Sequence, residues 1–233
     1  MKLKRNLTAA EIILQFFEAE RLTGEKITNI VYMGMGEPML NYDNVVRSLR
    51  ILNDPILEII GAKRITVSTS GLPDEIRKFA HEKLGVKLAL SLHATTDELR
   101  SKLMPINRAH PIKELLAAMD EYYRETGMPV TYEYILFDGL NDSEADAKRL
   151  AKIARRMPSK VNVIPFHQID FTNPQGIGAE LHPASEENFI RFNALLKKEG
   201  VQVMVRSSSG EDIEAACGQL ALSKLPHPIA IEV

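Results

Sequence analysis

The sequence predicts a parallel α/β protein built as an open or closed β/α barrel, and three observations carry that prediction. Short apolar, β-branched runs alternate with amphipathic helical segments about six times, with no linker-like break and no internal repeat, which implies a parallel sheet with right-handed crossovers. The run from Val86 to Leu92 is almost wholly apolar, as a strand covered on both faces should be. Small, polar and acidic residues gather where the strands end and not where they begin, which places a site at the C-terminal rim of the sheet.

Each element has its own signal. Thr8 with Glu11 forms a capping-box pattern ahead of Ile12, Ile13, Phe16 and Phe17, so a helix runs to about Leu22 and stops at Gly24. The first strand covers 27–33 and delivers Gly34-Met35-Gly36-Glu37-Pro38. A helix started by Asn41, Asp43 or Asn44 turns Val45, Val46, Leu49 and Leu52 inward and closes near Pro55. Ile65-Thr66-Val67 is the second strand and ends in Ser68-Thr69-Ser70-Gly71; Leu72-Pro73-Asp74-Glu75 opens a helix to about His81. The third strand, Val86 to Leu92, finishes in Ser91-Leu92-His93-Ala94. A short helical segment, Asp97 to Met104, precedes an amphipathic helix from Pro111 to Tyr123 that Gly127 ends. Val130 to Phe137 is the fourth strand, and Ser143 caps a helix to Arg156. Val161 to Pro165 is the fifth strand and leads to Phe166-His167-Gln168. The Asn/Pro/Gly-rich stretch 168–184 is too long for a plain connection and reads as a functional loop. Ser185 caps the helix 186–199, Gly200 ends it, Val201 to Val205 is the sixth strand, and a last helix carries Cys217.

Composition removes several function classes. Hydrophobic residues at 45% and charged ones at 26% are ordinary for a globular core. A net charge of −2 gives no overall basic field of the kind that marks many nucleic-acid binders. A single cysteine excludes a disulfide framework within the chain, fits a cytoplasmic setting, and cannot by itself build a Cys-rich metal site. No apolar run approaches the roughly 20 residues that span a bilayer, so no membrane partner is expected.

The rim residues each admit two readings. Gly34 and Gly36 bare the backbone beside the carboxylate of Glu37, which suits close ligand approach and equally suits a simple strand-to-loop turn. Ser68 and Ser70 can donate to a ligand or cap the helix that follows. His93 and His167 are polar tips of apolar strands or satisfied interior side chains. Ser207-Ser208-Ser209-Gly210 is an anion nest or a loop. Cys217 near a helix start is a nucleophile or a small buried hydrophobe; Glu211, Asp212 and Glu214 oppose thiolate formation there.

Taken together, G-M-G-E-P, S-T-S-G, S-L-H-A, V-N-V-I-P and D-I-E-A-A-C-G-Q-L resemble, in one order from Lys4 to Leu220, the radical SAM enzymes that methylate adenosine C2 in 23S rRNA and tRNA, with their C8-methylating relatives. The resemblance implies S-adenosyl-L-methionine (SAM) as cofactor, a 4Fe-4S cluster, 23S rRNA and tRNA as substrates, a reductant protein for the cluster and a monomeric, cytoplasmic enzyme. It implies further that Cys217 carries the methyl group as S-methylcysteine, and that Gly36, Glu37, Ser68, Ser91, Leu92, His93 and, less firmly, His167 hold SAM. The family's cluster loop, a C-x-x-x-C-x-x-C segment after the first barrel strand, has no counterpart here. The resemblance therefore implies an N-terminally truncated, partial (open) TIM-like β/α barrel of the radical SAM type over 1–233, with 211–233 as the segment carrying Cys217. Such a chain lacks the first strand and cluster loop and is inactive alone. The alternative is a non-catalytic SAM- or RNA-binding remnant, or one half of a split enzyme.

Overall fold

The structure, a computed structural model, describes residues 4–34, 36–166 and 176–205. Within them, β1 (Ile30–Tyr32), β2 (Ile65–Thr69), β3 (Lys87–Ser91), β4 (Val130–Leu136), β5 (Ser159–Pro165) and β6 (Val203–Val205) form one sheet in the order β1-β2-β3-β4-β5-β6. All five pairings are parallel. No ladder joins β1 to β6 among the described residues, so the sheet is an open trough, one of the two forms that the alternation allows and the one that the resemblance implies.

The helices are α1 (Ala9–Thr23), α2 (Tyr42–Leu52), α3 (Pro73–His81), α4 (Asp97–Leu103), α5 (Ile112–Thr126), α6 (Glu144–Ala154) and α7 (Glu186–Lys198). The Thr8–Glu11 capping box forms in full, and Gly24 ends α1 at φ 70°. Ser143 and Ser185 each accept a backbone N–H three residues on, as a helix cap should. Two starts differ from expectation. Asn41 precedes α2 without capping it, because its side chain instead donates to the Leu7 carbonyl and accepts from Asn44. A 3-10 turn over Pro38–Asn41 fills the space before that helix. Neither Ser68 nor Ser70 caps α3, whose N-cap is Leu72 and whose first turn opens with Pro73.

The strands shift by a few residues for identifiable reasons. β1 is shorter than 27–33 because the Ile27 N–H donates to the Glu20 carboxylate and the Thr28 carbonyl accepts from Arg64, which takes these groups out of ladder pairing. β2 runs on to Thr69 because Ser68 and Thr69 pair with Ala89 and Leu90. Part of the expected loop 168–184 is a 3-10 turn over Gly176–Glu180, and Pro183 bridges to Phe137. The last helix expected, with Cys217, lies outside the described residues, as does His167.

Side-chain alternation divides the sheet into two chemistries. Ile65, Val67, Leu88, Leu90, Tyr132, Tyr134, Val161 and Val163 join the helix residues in one apolar core. Phe79 stacks on Tyr122 with 6.2 Å between centroids, and Tyr134 on Phe192 at 5.7 Å. Gly71 marks where this core crowds the backbone. It sits at φ +106°, and a Cβ there would lie 2.6 Å from a methyl of buried Leu115. Gly71→Ala should therefore cost about 1–3 kcal/mol in urea unfolding. Gly61→Ala, where the added atom meets nothing within 4 Å, should stay within about 0.5 kcal/mol. Equal midpoints for the two variants would contradict this account of Gly71.

Candidate functional site at the strand ends

The face of the sheet turned away from the helices carries the polar residues. Register places Thr66 beside Lys87, then Ser68, Ala89, Thr131 and Lys160 across one layer. The next layer toward the C-terminal ends is Ser91, Glu133, Asn162 and Met204. The trough is thus lined by hydroxyls, an amide, one carboxylate and two lysine ammoniums, with Ala89 leaving room in the middle. Glu133 is 6% exposed and accepts from the Asn162 amide at 2.8 Å.

Above these layers, a single side chain closes each of three successive strand-end seams. At β1/β2, one Glu37 oxygen accepts from the Met39 N–H at 3.0 Å, and the other accepts from the Ser70 N–H at 2.6 Å and the Ser70 hydroxyl at 2.7 Å. At β2/β3 the ladder ends with Thr69 beside Leu90, and the Arg100 guanidinium takes over. Its Nη2 donates to the carbonyls of Ser70 at 2.6 Å and Ser91 at 3.0 Å, its Nε to that of Leu92 at 3.2 Å, and its Nη1 to Asn107 Oδ1 at 2.9 Å. At β3/β4 the Asn141 amide donates to the carbonyls of His93 and Ile135, both at 2.8 Å, while its oxygen accepts the Phe137 N–H.

Burial pushes the Arg100 guanidinium down to about 10, so it remains a cation at neutral pH. Loss of hydration, helped by that neighbouring charge, lowers His93 to about 4. His93 sits at φ 53°, and its Nδ1 accepts the Ile135 N–H at 3.1 Å. The imidazole is therefore neutral, with its proton on Nε2.

The residues expected to line the site are placed unequally. Gly36 is exposed at the rim at φ 93°; that left-handed conformation is open to glycine and closed to most side chains. Ser68 and Ser91 face the trough. Leu92 is wholly buried, with its N–H on the Glu133 carbonyl and its own carbonyl on Arg100. Glu37 is spent on the seam, which leaves its loop backbone to meet a ligand. Cys217 and His167 lie outside the described residues. Arg100, Asn141, Asn162 and Glu133 escaped the sequence reading. The alternation in Val130-Thr131-Tyr132-Glu133 is the signal that could have found Glu133. A surface cavity of about 690 Å³ lies elsewhere, on the helix side between α5 and α6. Its Arg149 and Arg156 are engaged with Asp146 and Asp120, and the strand-end trough is the better ligand site.

The fold and the trough together define an open, parallel β/α barrel whose candidate ligand site lies at the strand C-termini. Residues 3–151 match the model of the radical SAM superfamily, and the chain belongs to that superfamily. It is similar to a probable dual-specificity RNA methyltransferase RlmN of Thermotoga maritima, 48% identical over 221 residues, which make up 95% of this chain and 62% of that protein. The chain thus spans less than two thirds of the length of the curated relative it matches. A crystal structure of a radical SAM methyltransferase from Sphaerobacter thermophilus superposes with a TM-score of 0.83 at 47% identity, covering 94% of this chain and 63% of that one. Streptococcus suis SuiB, solved bound to S-adenosylmethionine, shares the fold alone, at a TM-score of 0.62 and 13% identity over 88% of this chain and 45% of that one.

Superfamily membership implies SAM and an iron–sulfur cluster. The trough fits SAM by its donor set, since hydroxyls, an amide and a carboxylate suit a ribose, an amino acid head and a purine edge. The cluster does not fit the residues present. The chain has one cysteine, and among the described residues no group of three or more His, Cys, Asp or Glu could hold a metal ion.

Two outcomes test the rim. Arg100→Met leaves the carbonyls of Ser70, Ser91 and Leu92 without their donor, and a loss of about 3–5 kcal/mol in denaturant unfolding is expected; a loss below about 1 kcal/mol would dismiss the seam role. His93 has a folded pKa below its unfolded one, so the unfolded chain takes up the proton first. Its contribution to stability is complete above about 6.5 and is lost as pH falls toward about 4. His93→Asn keeps an acceptor, tolerates positive φ and does not titrate. Between pH 7 and 4.5 it should lose on the order of 1–2 kcal/mol less than the parent chain.

Proposed function

We propose that this chain is the SAM-binding barrel of an RNA methyltransferase that modifies adenosine C2 in 23S rRNA and tRNA through an S-methylcysteine at Cys217. The observation that carries the reading is 48% identity to the Thermotoga maritima RNA methyltransferase along 95% of the chain, joined to a trough whose donors suit SAM. In this reading the backbone at Gly36 and Glu37 receives the amino acid end of SAM, Ser68 and Ser91 offer hydroxyls, and the neutral His93 offers its Nε2 proton. Leu92 is held through its backbone between Glu133 and Arg100 and supports the rim, and the resemblance assigns His167 to SAM as well. SAM supplies the methyl group that Cys217 accepts.

The chain's own residues bind and orient; none of them supplies the cysteine set that a cluster requires. No step through a cluster is assigned to them. The single cysteine favours a second reading, a SAM- and RNA-binding module that depends on another polypeptide for SAM cleavage.

A chimera decides the matter. Residues 4–220 of this chain replace the corresponding segment of the Thermotoga maritima relative. The chimera should methylate RNA at adenosine and yield an S-methylcysteine peptide at Cys217. Cys217→Ala should abolish both signals while SAM binding persists. A soluble chimera that binds SAM and leaves RNA unmethylated would refute the proposal.

A further inference from the structure

We infer that the groove between α5 and α6 is a docking site for the sugar–phosphate backbone of single-stranded RNA. The inference rests on the proposed RNA substrate and adds a contact surface that the strand-end trough does not include. The groove encloses about 690 Å³ and opens at the same rim as the trough, because its Thr95 and Thr96 follow directly on the β3 strand end at Ser91-Leu92-His93-Ala94. The Thr95 hydroxyl donates to Asp146 Oδ1 and accepts from Arg149 Nε, both at 2.9 Å, which ties that mouth to the first turns of α6. Leu116 and Ala117 of α5 and Ile153 of α6 give the groove an apolar floor.

Charge then selects the occupant. Five cations line the groove, Arg77, Lys113, Arg149, Lys152 and Arg156, against two carboxylates, Asp97 and Glu114. Asp97 Oδ1 is spent on Asn107 and on the Ile112 N–H, and Glu114 is exposed. In a chain of net charge −2 this is a local concentration of positive charge. Arg77 is held by Asp74 and Glu121, Arg149 by Asp146 and Arg156 by Asp120, and none of those four acids lines the groove. Each guanidinium keeps one nitrogen that no bond among the described residues uses, Nη2 of Arg77 and Nη1 of Arg149 and Arg156. The pairs therefore fix the forks in place and leave donors for a phosphate. Lys113 and Lys152 are exposed and form no ion pair among the described residues. Arg149, Lys152 and Arg156 follow one another at intervals of three and four residues, a row of about 10 Å at about 1.5 Å per residue. Such a row meets two or three successive phosphates, while the floor receives the less polar face of the riboses. Continuity with the rim favours RNA over an acidic protein segment, since an adenosine entering the trough brings its flanking backbone to the mouth of the groove.

The test is fluorescence anisotropy of the full chain with a short labelled single-stranded RNA across a salt series. Lys113→Gln with Lys152→Gln removes the two unpaired cations and breaks no bond of the fold. Lys197→Gln with Lys198→Gln, at the C-terminal end of α7, removes the same charge elsewhere. The groove pair should raise Kd about tenfold and flatten the slope of log K against log salt by about 1.4, two phosphate contacts at about 0.7 each. The α7 pair should shift Kd less than about twofold. Equal losses in the two variants, or no loss in the groove pair, overturn the inference and leave the RNA substrate standing. A parent chain that binds no RNA at low salt overturns the RNA reading and this inference with it. Polyglutamate that displaces the labelled RNA as well as unlabelled RNA does assigns the groove to an acidic protein segment and overturns the inference.

Discussion

The Arg100 guanidinium is the interaction on which the rim depends. Parallel strands diverge as they leave a twisted sheet, and their last carbonyls lose ladder partners just where a binding site needs them fixed. Arg100 enters that gap from α4 and spans Ser70, Ser91 and Leu92. A planar fork with five donors can do this; a lysine would offer a point charge and no plane. The cost is a buried cation with no carboxylate in direct contact among the described residues, and burial lowers its pKa. Asn107 relays the charge toward Asp97, whose Oδ1 also accepts the Ile112 N–H at the start of α5. The same network thus ties the rim to the helix that follows.

Glu37 and Asn141 repeat the device on either side with different chemistry. Each seam is closed by whichever group matches what the chain leaves unpaired: an acceptor where N–H groups are free, a donor where carbonyls are free, and an amide where both occur. The effect is a preorganised edge whose spacing is set before any ligand arrives. His93 shows the consequence. With its carbonyl on Asn141 and its Nδ1 on the Ile135 N–H, the ring has one orientation and one tautomer, and its left-handed backbone is the local strain that this fixing tolerates.

The fold was largely legible because its signals are local. The Thr8–Glu11 box, the caps at Ser143 and Ser185 and the glycine stops at 24 and 127 depend on residues within one helical turn of each other. The site was less legible because its key bonds join residues far apart in sequence. Glu37 and Ser70 are 33 residues apart, Arg100 and Ser70 are 30, and Asn141 and His93 are 48. Ser70 illustrates the limit. Its setting ahead of Pro73 suggests a cap, and only the folded sheet shows Glu37 waiting across the seam. Arg100 reads in sequence as one more charge on a short surface helix, and nothing local reveals that it is 0% exposed.

Glu37 and Glu133 show how position can invert what a motif suggests. Glu37 stands in a glycine-flanked loop at a strand end, where a carboxylate reads as ligand-facing, yet the fold uses its oxygens to build the rim. Glu133 lies within a strand between two tyrosines, where a charge reads as an anomaly in a core segment. Alternation turns it to the opposite face from those rings, beside Ser91 and Asn162. A charge placed in the middle of a strand is retained only where the sheet gives it a polar surface to face. In this open barrel the trough is that surface. The distinction between the two acids therefore follows from one fact of strand geometry, the two-residue period, applied to a sheet with helices on one side and a ligand trough on the other.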